Sequence, residues 1–422
     1  MTRRSLLFRV PIIAVLALLP GSGIIALEQR PPSARWIAAW GSSQQTLGTT
    51  TITDATVRMI ARVTVSGEAV RIRLDNTYGT TPLAIGKAYV GWRMAGASIA
   101  PGSNQQVFFN RSATVTIPPG GSVESDSVVM KVLAREDLAV SLYVPEANVR
   151  PSQHSGAIVT SYLSANGSGD VAADETRAPF TGTTTSMFWL KAIDVLSSSS
   201  TGTIIAFGDS ITDGSCSTLD AHDRWQDWLA VRLALDDDNR GHGEAHKAVV
   251  NEGIGGNTIT RENLRPPLSR TDTMPGLERL ERDVLSHHGV TEVILFMGTN
   301  DIRRHAPAAQ VISGTEDIIR RVKARGLKII GVTMIPRHNR APSGTNPIDW
   351  DAARTEIRNE VNQWIRTRAP FDGVIDFDRV VRDPGNPDLI YPMFNCDGTH
   401  PSPRGYYEMG RSVNIDLFGP RR

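Results

Sequence analysis

Thr203-Ile204-Ile205-Ala206-Phe207-Gly208-Asp209-Ser210-Ile211-Thr212-Asp213-Gly214 is the stretch that decides the fold. Its first five residues are apolar or β-branched, and they run straight into a glycine-rich turn carrying a serine. A short uncharged run with a turn behind it reads as a buried strand. The next segment, Asp223–Leu235, reads as a helix. The same alternation continues downstream. Strands are expected at Ala248–Asn251, Val290–Met297, Leu327–Ile335 and Phe371–Phe377. Helices are expected at Met274–Leu285, Ala308–Ala324, Asp349–Arg366 and Pro403–Leu417. Strands separated by helices make βαβ units, a mostly parallel sheet and helices on both faces. In such a sheet a site forms at the carboxyl ends of the strands, which is where Ser210 falls.

Upstream the period is different. Thr56–Val65 is rich in β-branched residues, Val70-Arg71-Ile72-Arg73-Leu74 alternates strictly, and Ala113–Ile117, Ser127–Val132 and Ala139–Val144 are further strand candidates. Short strands between turn signals predict a β-rich accessory domain over residues 36–195, either a β-sandwich or an open sheet packed on the second domain. The polar run Leu196-Ser197-Ser198-Ser199-Ser200-Thr201-Gly202 is expected to be a linker, residues 196–202, leading to the α/β domain of residues 203–422.

The first 26 residues read as a signal peptide. Arg3, Arg4 and Arg9 precede an apolar stretch from Val10 to Leu19 and a small-residue break at Pro20-Gly21-Ser22-Gly23. Thr2-Arg3-Arg4-Ser5-Leu6-Leu7 is similar to a twin-arginine export signal, which predicts a secreted or periplasmic protein. The apolar run falls short of the ~20 residues that span a bilayer, so no stable membrane insertion is expected. Elsewhere the 45 basic and 44 acidic residues nearly cancel, which gives no field favouring nucleic acid.

Three further blocks sit at predicted strand ends. After the second strand comes Asn251-Glu252-Gly253-Ile254-Gly255-Gly256-Asn257, whose glycines allow backbone N–H groups to approach a substrate oxygen. After the third comes Gly298-Thr299-Asn300-Asp301, where the Asn300 amide could donate to a developing oxyanion or, more blandly, cap a helix. Near the C-terminus lies Asp397-Gly398-Thr399-His400-Pro401, a loop in which a carboxylate can hold Nδ1 of a histidine and leave Nε2 free to take a proton from serine. Each block alone has an ordinary structural explanation.

Together, in this order, the four blocks resemble those of the GDSL/SGNH hydrolase family over roughly Thr203 to the C-terminus. The β-rich N-terminal region is similar to that of a secreted two-domain subgroup. The resemblance implies a flavodoxin-like three-layer α/β/α domain, here preceded by the β-sandwich-like region, and ester hydrolysis through an acyl-serine intermediate without cofactor or metal. It assigns Ser210, Asp397 and His400 as catalytic residues. The oxyanion hole it implies is made by the Ser210 and Gly256 backbone N–H groups and the Asn300 side chain. Gly256 is chosen over Gly253 and Gly255 by its spacing from Asn251.

If these blocks converge, Cys216 and Cys396 come to the same rim, since one lies six residues after Ser210 and the other immediately before Asp397. An exported chain with an even cysteine count then predicts a disulfide tying the two loops. The expected substrate is a small-molecule or polysaccharide ester, with short acetyl groups on polysaccharide preferred. A lipase, phospholipase or thioesterase with the same triad is the first alternative, and a carbohydrate-binding protein with an inactive hydrolase domain the second. His242 and His246 lack the glutamate of a zinc-protease helix, and His287, His288 and His305 are expected on the surface. Trp225 and Trp228 are expected to pack in the core.

Overall fold

The strand Ser200–Gly208 lies inside a five-stranded, wholly parallel sheet. The computed structural model describes residues 34–240, 246–262, 274–337 and 350–419, so the expected signal segment lies outside the described residues. His246–Gly253 pairs on one side of Ser200–Gly208. Val290–Phe296 pairs on the other, followed by Lys328–Val332 and Gly373–Ile375. Numbered along the chain the order is 2-1-3-4-5, the flavodoxin-like arrangement.

The apolar centres of these strands follow from burial on both faces. Ile205, Phe207, Val250, Val293 and Leu295 pack against the helices Gly276–Leu280, Ala308–Ala324 and Ala352–Thr367. Their sequence neighbours Ile204, Ala206, Val249, Ile294 and Phe296 face the opposite core, with the helices Trp225–Arg240 and Pro403–Ser412. Ala308, Val311, Thr315, Ile318 and Val322, spaced by three and four, form the buried stripe of one of these helices. This is the three-layer α/β/α domain expected from the sequence.

The region before it is a β-sandwich. One antiparallel sheet contains Arg35–Gly41, Leu190–Ser197, Gly67–Asp75 and Val128–Val132, with Ser122–Glu124 beside them. The second contains Gly182–Thr184, Ser161–Leu163, Ala55–Arg62, Asp137–Val144, Lys87–Trp92 and Gln105–Val107. Ile37, Val70, Ile72 and Ile193 from the first share one core with Val57, Met59, Val140 and Leu142 from the second. Alternating residues of the two inner faces interdigitate, as sheet-on-sheet packing requires.

The polar run at 196–202 is not a loose linker. Leu196 and Ser197 complete one strand, paired with Trp36 and Arg35, and Ser200 already begins the next. The Ser197 hydroxyl accepts from the Ser200 N–H at 3.1 Å, so serine chemistry closes a tight turn where composition alone suggests slack. Ser33–Arg422 is accordingly one compact unit. Its two regions share hydrogen bonds: the Ala38 N–H donates to His288 O at 3.0 Å, and the Thr203 hydroxyl donates to Ala38 O at 3.0 Å. Among the described residues no helix is long and apolar enough to cross a membrane.

Candidate active site

Ser210 opens a single helical turn, Ser210–Asp213, directly beyond the first strand of the parallel sheet. The turn is fixed at both ends by local chemistry. The Asp209 carboxylate accepts from the Ile211 N–H at 3.0 Å, and the Gly214 N–H closes onto Ser210 O. Gly208 is required by close approach, because a Cβ there would sit 2.1 Å from the Thr212 hydroxyl and 2.9 Å from Phe296 O. Ser210 as the first helical residue has no intrahelical acceptor for its N–H.

The Ser210 hydroxyl lies 2.8 Å from Nε2 of His400. Nδ1 of His400 lies 2.7 Å from Oδ2 of Asp397, whose other oxygen accepts the N–H groups of Thr399 at 2.9 Å and His400 at 2.8 Å. A carboxylate can only accept, so Nδ1 carries the proton and Nε2 presents a lone pair to the serine. Desolvation pushes the Asp397 carboxyl up, but the hydrogen bond and charge of His400 and the two backbone N–H groups outweigh it. The net effect holds Asp397 well below the usual carboxylate range, ionised at any working pH. Asp209, fully buried, is pushed up by desolvation to about 6 against the pull of the Ile211 N–H and His400.

The second and third blocks leave strands adjacent to the first, because Gly208 is in register with Gly253 on one side and Phe296 on the other. Gly256 has φ +71, with nothing near the place a Cβ would take, so its backbone lies open in a conformation that favours glycine. The Asn300 amide nitrogen donates to Asn257 O at 3.1 Å, which leaves its second N–H for a ligand. Asn300 thus adjoins the residue after Gly256. Asp301 does not cap its own helix. Its carboxylate instead accepts from the N–H groups of Ile259 at 2.9 Å and Thr260 at 3.2 Å, fixing the loop after the second strand. Burial lifts Asp301 to about 7 against these bonds.

Cys216 and Cys396 are joined in a disulfide that links the loop after Ser210 to the loop of Asp397 and His400. Its sulfur lies within reach of Asp397 and His400, but a disulfide sulfur is no thiolate and the other two groups are spent on each other. The only other grouping of that kind among the described residues, Glu124, Asp194 and His288, already holds Arg71.

Several residues at the site carry no sequence motif. Arg279, fully buried, donates to Gly208 O and Glu252 O at 2.9 Å each, to Asn257 Oδ1 at 2.8 Å and to the Ser43 hydroxyl at 3.0 Å. Arg337 donates to the hydroxyls of Thr299 at 3.2 Å and Thr399 at 2.9 Å, bridging the neighbours of Asn300 and His400. His287, expected on the surface, is buried between Arg73 and Glu252. The partners of Arg279 lie up to 236 residues away in the chain, so no local pattern encodes them. Trp225 is in the core as expected, edge-on to Phe377.

A family model described as the GDSL-like lipase/acylhydrolase family matches residues 206–407. Among solved structures, the lipase/acylhydrolase from Enterococcus faecalis is 26% identical, covering 50% of this chain and 92% of its own, with a TM-score of 0.36. A member of the lipolytic protein G-D-S-L family from Veillonella parvula DSM 2008 is 18% identical, with coverage of 50% and 94% and a TM-score of 0.33. A GDSL-like lipase from Bacteroides thetaiotaomicron VPI-5482 is 17% identical, with coverage of 51% and 87% and a TM-score of 0.34. No curated protein matches the chain.

Proposed function

Because residues 206–407 are a domain of the GDSL-like lipase/acylhydrolase family, and the protein is therefore an ester hydrolase, we propose that it works by two-step acyl transfer on Ser210. His400 takes the Ser210 proton as Oγ attacks the ester carbonyl, and the electron pair of the carbonyl π bond moves onto oxygen. The N–H groups of Ser210 and Gly256 and the Asn300 amide receive that oxyanion. Collapse expels the alcohol, protonated by His400, and leaves an acyl-serine. Water, deprotonated by His400, then releases the acid and restores the serine. Asp397 holds the imidazole in the tautomer this requires.

The observation that carries the reading is the unbroken series from the Ser210 hydroxyl through His400 to Asp397, at 2.8 and 2.7 Å. The preferred substrate is a short acyl ester, acetyl above all, of a polysaccharide. The support for a polymer is the β-sandwich carried beside the hydrolase domain. Export is part of the same reading. The N-terminal Arg3–Leu19 pattern supports it, and a disulfide belongs to an oxidising compartment.

The test is hydrolysis of p-nitrophenyl esters from C2 to C12 by wild type and Ser210→Ala. Wild-type turnover greatest at C2, with the variant at background, is the expected result. A maximum at long chains would replace the acetylesterase by a lipase. Glycan binding with no hydrolysis of any ester, acetylated xylan included, would replace the enzyme by a binding protein. Turnover surviving in Ser210→Ala would sink the nucleophile assignment.

A further inference from the structure

The N-terminal β-rich region reaches the end of the Ser210 turn through one buried histidine. His154 lies in the short strand Ser152–His154 and is 4% exposed. Its Nδ1 is 2.8 Å from Ser43 O, and its Nε2 is 3.0 Å from Oδ1 of Asp213. Both partners are acceptors with no proton to give. A neutral imidazole has one N–H, so it could satisfy only one of them, and the geometry calls for the doubly protonated ring. The balance of forces agrees: desolvation pushes the pKa down, but the charge and hydrogen bond of Asp213 and the Ser43 carbonyl raise it overall, with Arg224 opposing.

Asp213 is where this matters. It is the last residue of the helical turn that Ser210 opens. Its Oδ2 accepts the Gly255 N–H at 3.0 Å, and Gly255 immediately precedes Gly256. The backbone of the same turn is pressed against the end of the second strand. A Cβ on Gly253 would come within 2.2 Å of the Asp213 nitrogen. One carboxylate therefore grips the nucleophile's own turn and the glycine loop beside it, and a cation from the N-terminal β-rich region holds that carboxylate in place.

We infer that His154 is a positioning residue for catalysis: its imidazolium fixes Asp213, and through the Gly255 N–H sets the peptide that presents the Gly256 N–H to the oxyanion. The inference rests on the acyl-serine reading, in which the Gly256 N–H is an oxyanion donor. Removing one such donor outright costs about 10²–10³ in kcat, and loosening it should cost roughly tenfold or more. The contact is made in the transition state, so the loss belongs in kcat and not in KM.

The test uses the full-length chain with p-nitrophenyl acetate, and wild type beside His154→Gln and His154→Ala. Turnover is counted per Ser210 that a fluorophosphonate labels, so that misfolded protein drops out of the comparison. The expected result is a kcat at least roughly tenfold lower in both variants with KM within about threefold. Faster hydrogen exchange at the Gly255 amide, and imidazolium ¹⁵N shifts for His154 in the wild type, should accompany it. Unchanged kcat per labelled serine, or a rise in KM alone, would overturn this inference and leave the esterase reading standing. A wild type inert toward every ester would remove that reading and this inference with it. Should His154→Ala fail to fold, His154→Gln and the Gly255 exchange rate decide the matter.

Discussion

Arg279 donates from Nη2 to the carbonyl oxygen of Gly208 at 2.9 Å, two residues before Ser210, the proposed nucleophile. The same guanidinium serves Glu252 O, the Asn257 side chain and the Ser43 hydroxyl, stacks over Phe207 at 4.2 Å and lies 3.4 Å from Asp283. It is thus a single cation joining the first strand, the second strand, the glycine loop and the sandwich, with no exposed surface. Removing one member of a buried charged network leaves the others unpaired, and such losses run to about 3–5 kcal/mol. Arg279→Leu should therefore lower stability by an amount in that range, read from the midpoint of guanidinium unfolding monitored by tryptophan fluorescence. A loss under about 1 kcal/mol would mean that water or rearranged partners take over the four acceptors.

The Cys216–Cys396 bridge spans 180 residues of sequence and ties the loop after Ser210 to the loop of Asp397 and His400, the two halves of the proposed triad. Closing a loop of that size is worth about 5 kcal/mol in the chain-entropy model, and usually less in practice. Cys216→Ser with Cys396→Ser should lower the unfolding temperature and reduce turnover, since the Asp397–His400 loop then loses its covalent tie to the loop after Ser210. Intact mass of the unreduced protein should fall short of the reduced mass by two hydrogens. Equal masses would show two free thiols and remove the basis for the stability effect.

These two cases mark what the sequence made legible. Ser210, Gly256, Asn300, Asp397 and His400 each sit at the end of a strand or in a short loop, where local signals survive: an apolar run, a glycine turn, an Asp three residues before a His. The parallel sheet and both helix layers follow from the same runs, whereas the strand order is implied only by the family resemblance. Arg279, His154 and Asp213 left no such trace, because their roles are defined by partners distant in the chain, 59 residues between His154 and Asp213 and 236 between Arg279 and Ser43. The turn at Ser197–Ser200 misleads for a related reason. Small polar residues look like slack until the strands on either side are seen to pair. His287 looked like a surface residue because its two neighbours in space, Arg73 and Glu252, come from different domains.

Two buried histidines at the junction of those domains should respond to pH with opposite signs. Nδ1 of His287 faces the Arg73 guanidinium, which can only donate, while its Nε2 donates to Glu252 at 2.6 Å, so the ring is neutral. Desolvation and the charge of Arg73 lower its pKa, against the pull of Glu252. The unfolded chain binds a proton near pH ~6.5 that the folded chain refuses, so this contribution is full above that pH and is lost as pH falls through the lowered folded value. For His154 the folded value is raised, so its contribution is full below pH ~6.5 and is lost as pH rises through that value. Urea midpoints between pH 5 and 9 should show it. His287→Gln should lose less stability than wild type on acidification, and His154→Gln less on alkalinisation. Parallel curves for all three proteins would refute both assignments.

Asp397 does two jobs with two oxygens, and the substitution Asp397→Asn separates them. The Asn carbonyl oxygen can still accept the Thr399 and His400 N–H groups, which keeps the loop in place. Its NH₂ then faces Nδ1 of His400, 2.7 Å from the atom it replaces. An amide N–H can only donate, so Nδ1 must become the acceptor and the ring proton moves to Nε2. That proton points at the Ser210 hydroxyl, where a lone pair is needed. The variant should fold with an unfolding temperature close to wild type, bind short esters with similar KM, and lose about 10³–10⁴ in kcat. Steady-state kinetics on p-nitrophenyl acetate, read beside thermal unfolding, distinguish this from simple damage. A variant that keeps most of its kcat would show that His400 is oriented by something other than Asp397, and the assignment of the third triad member would have to be given up.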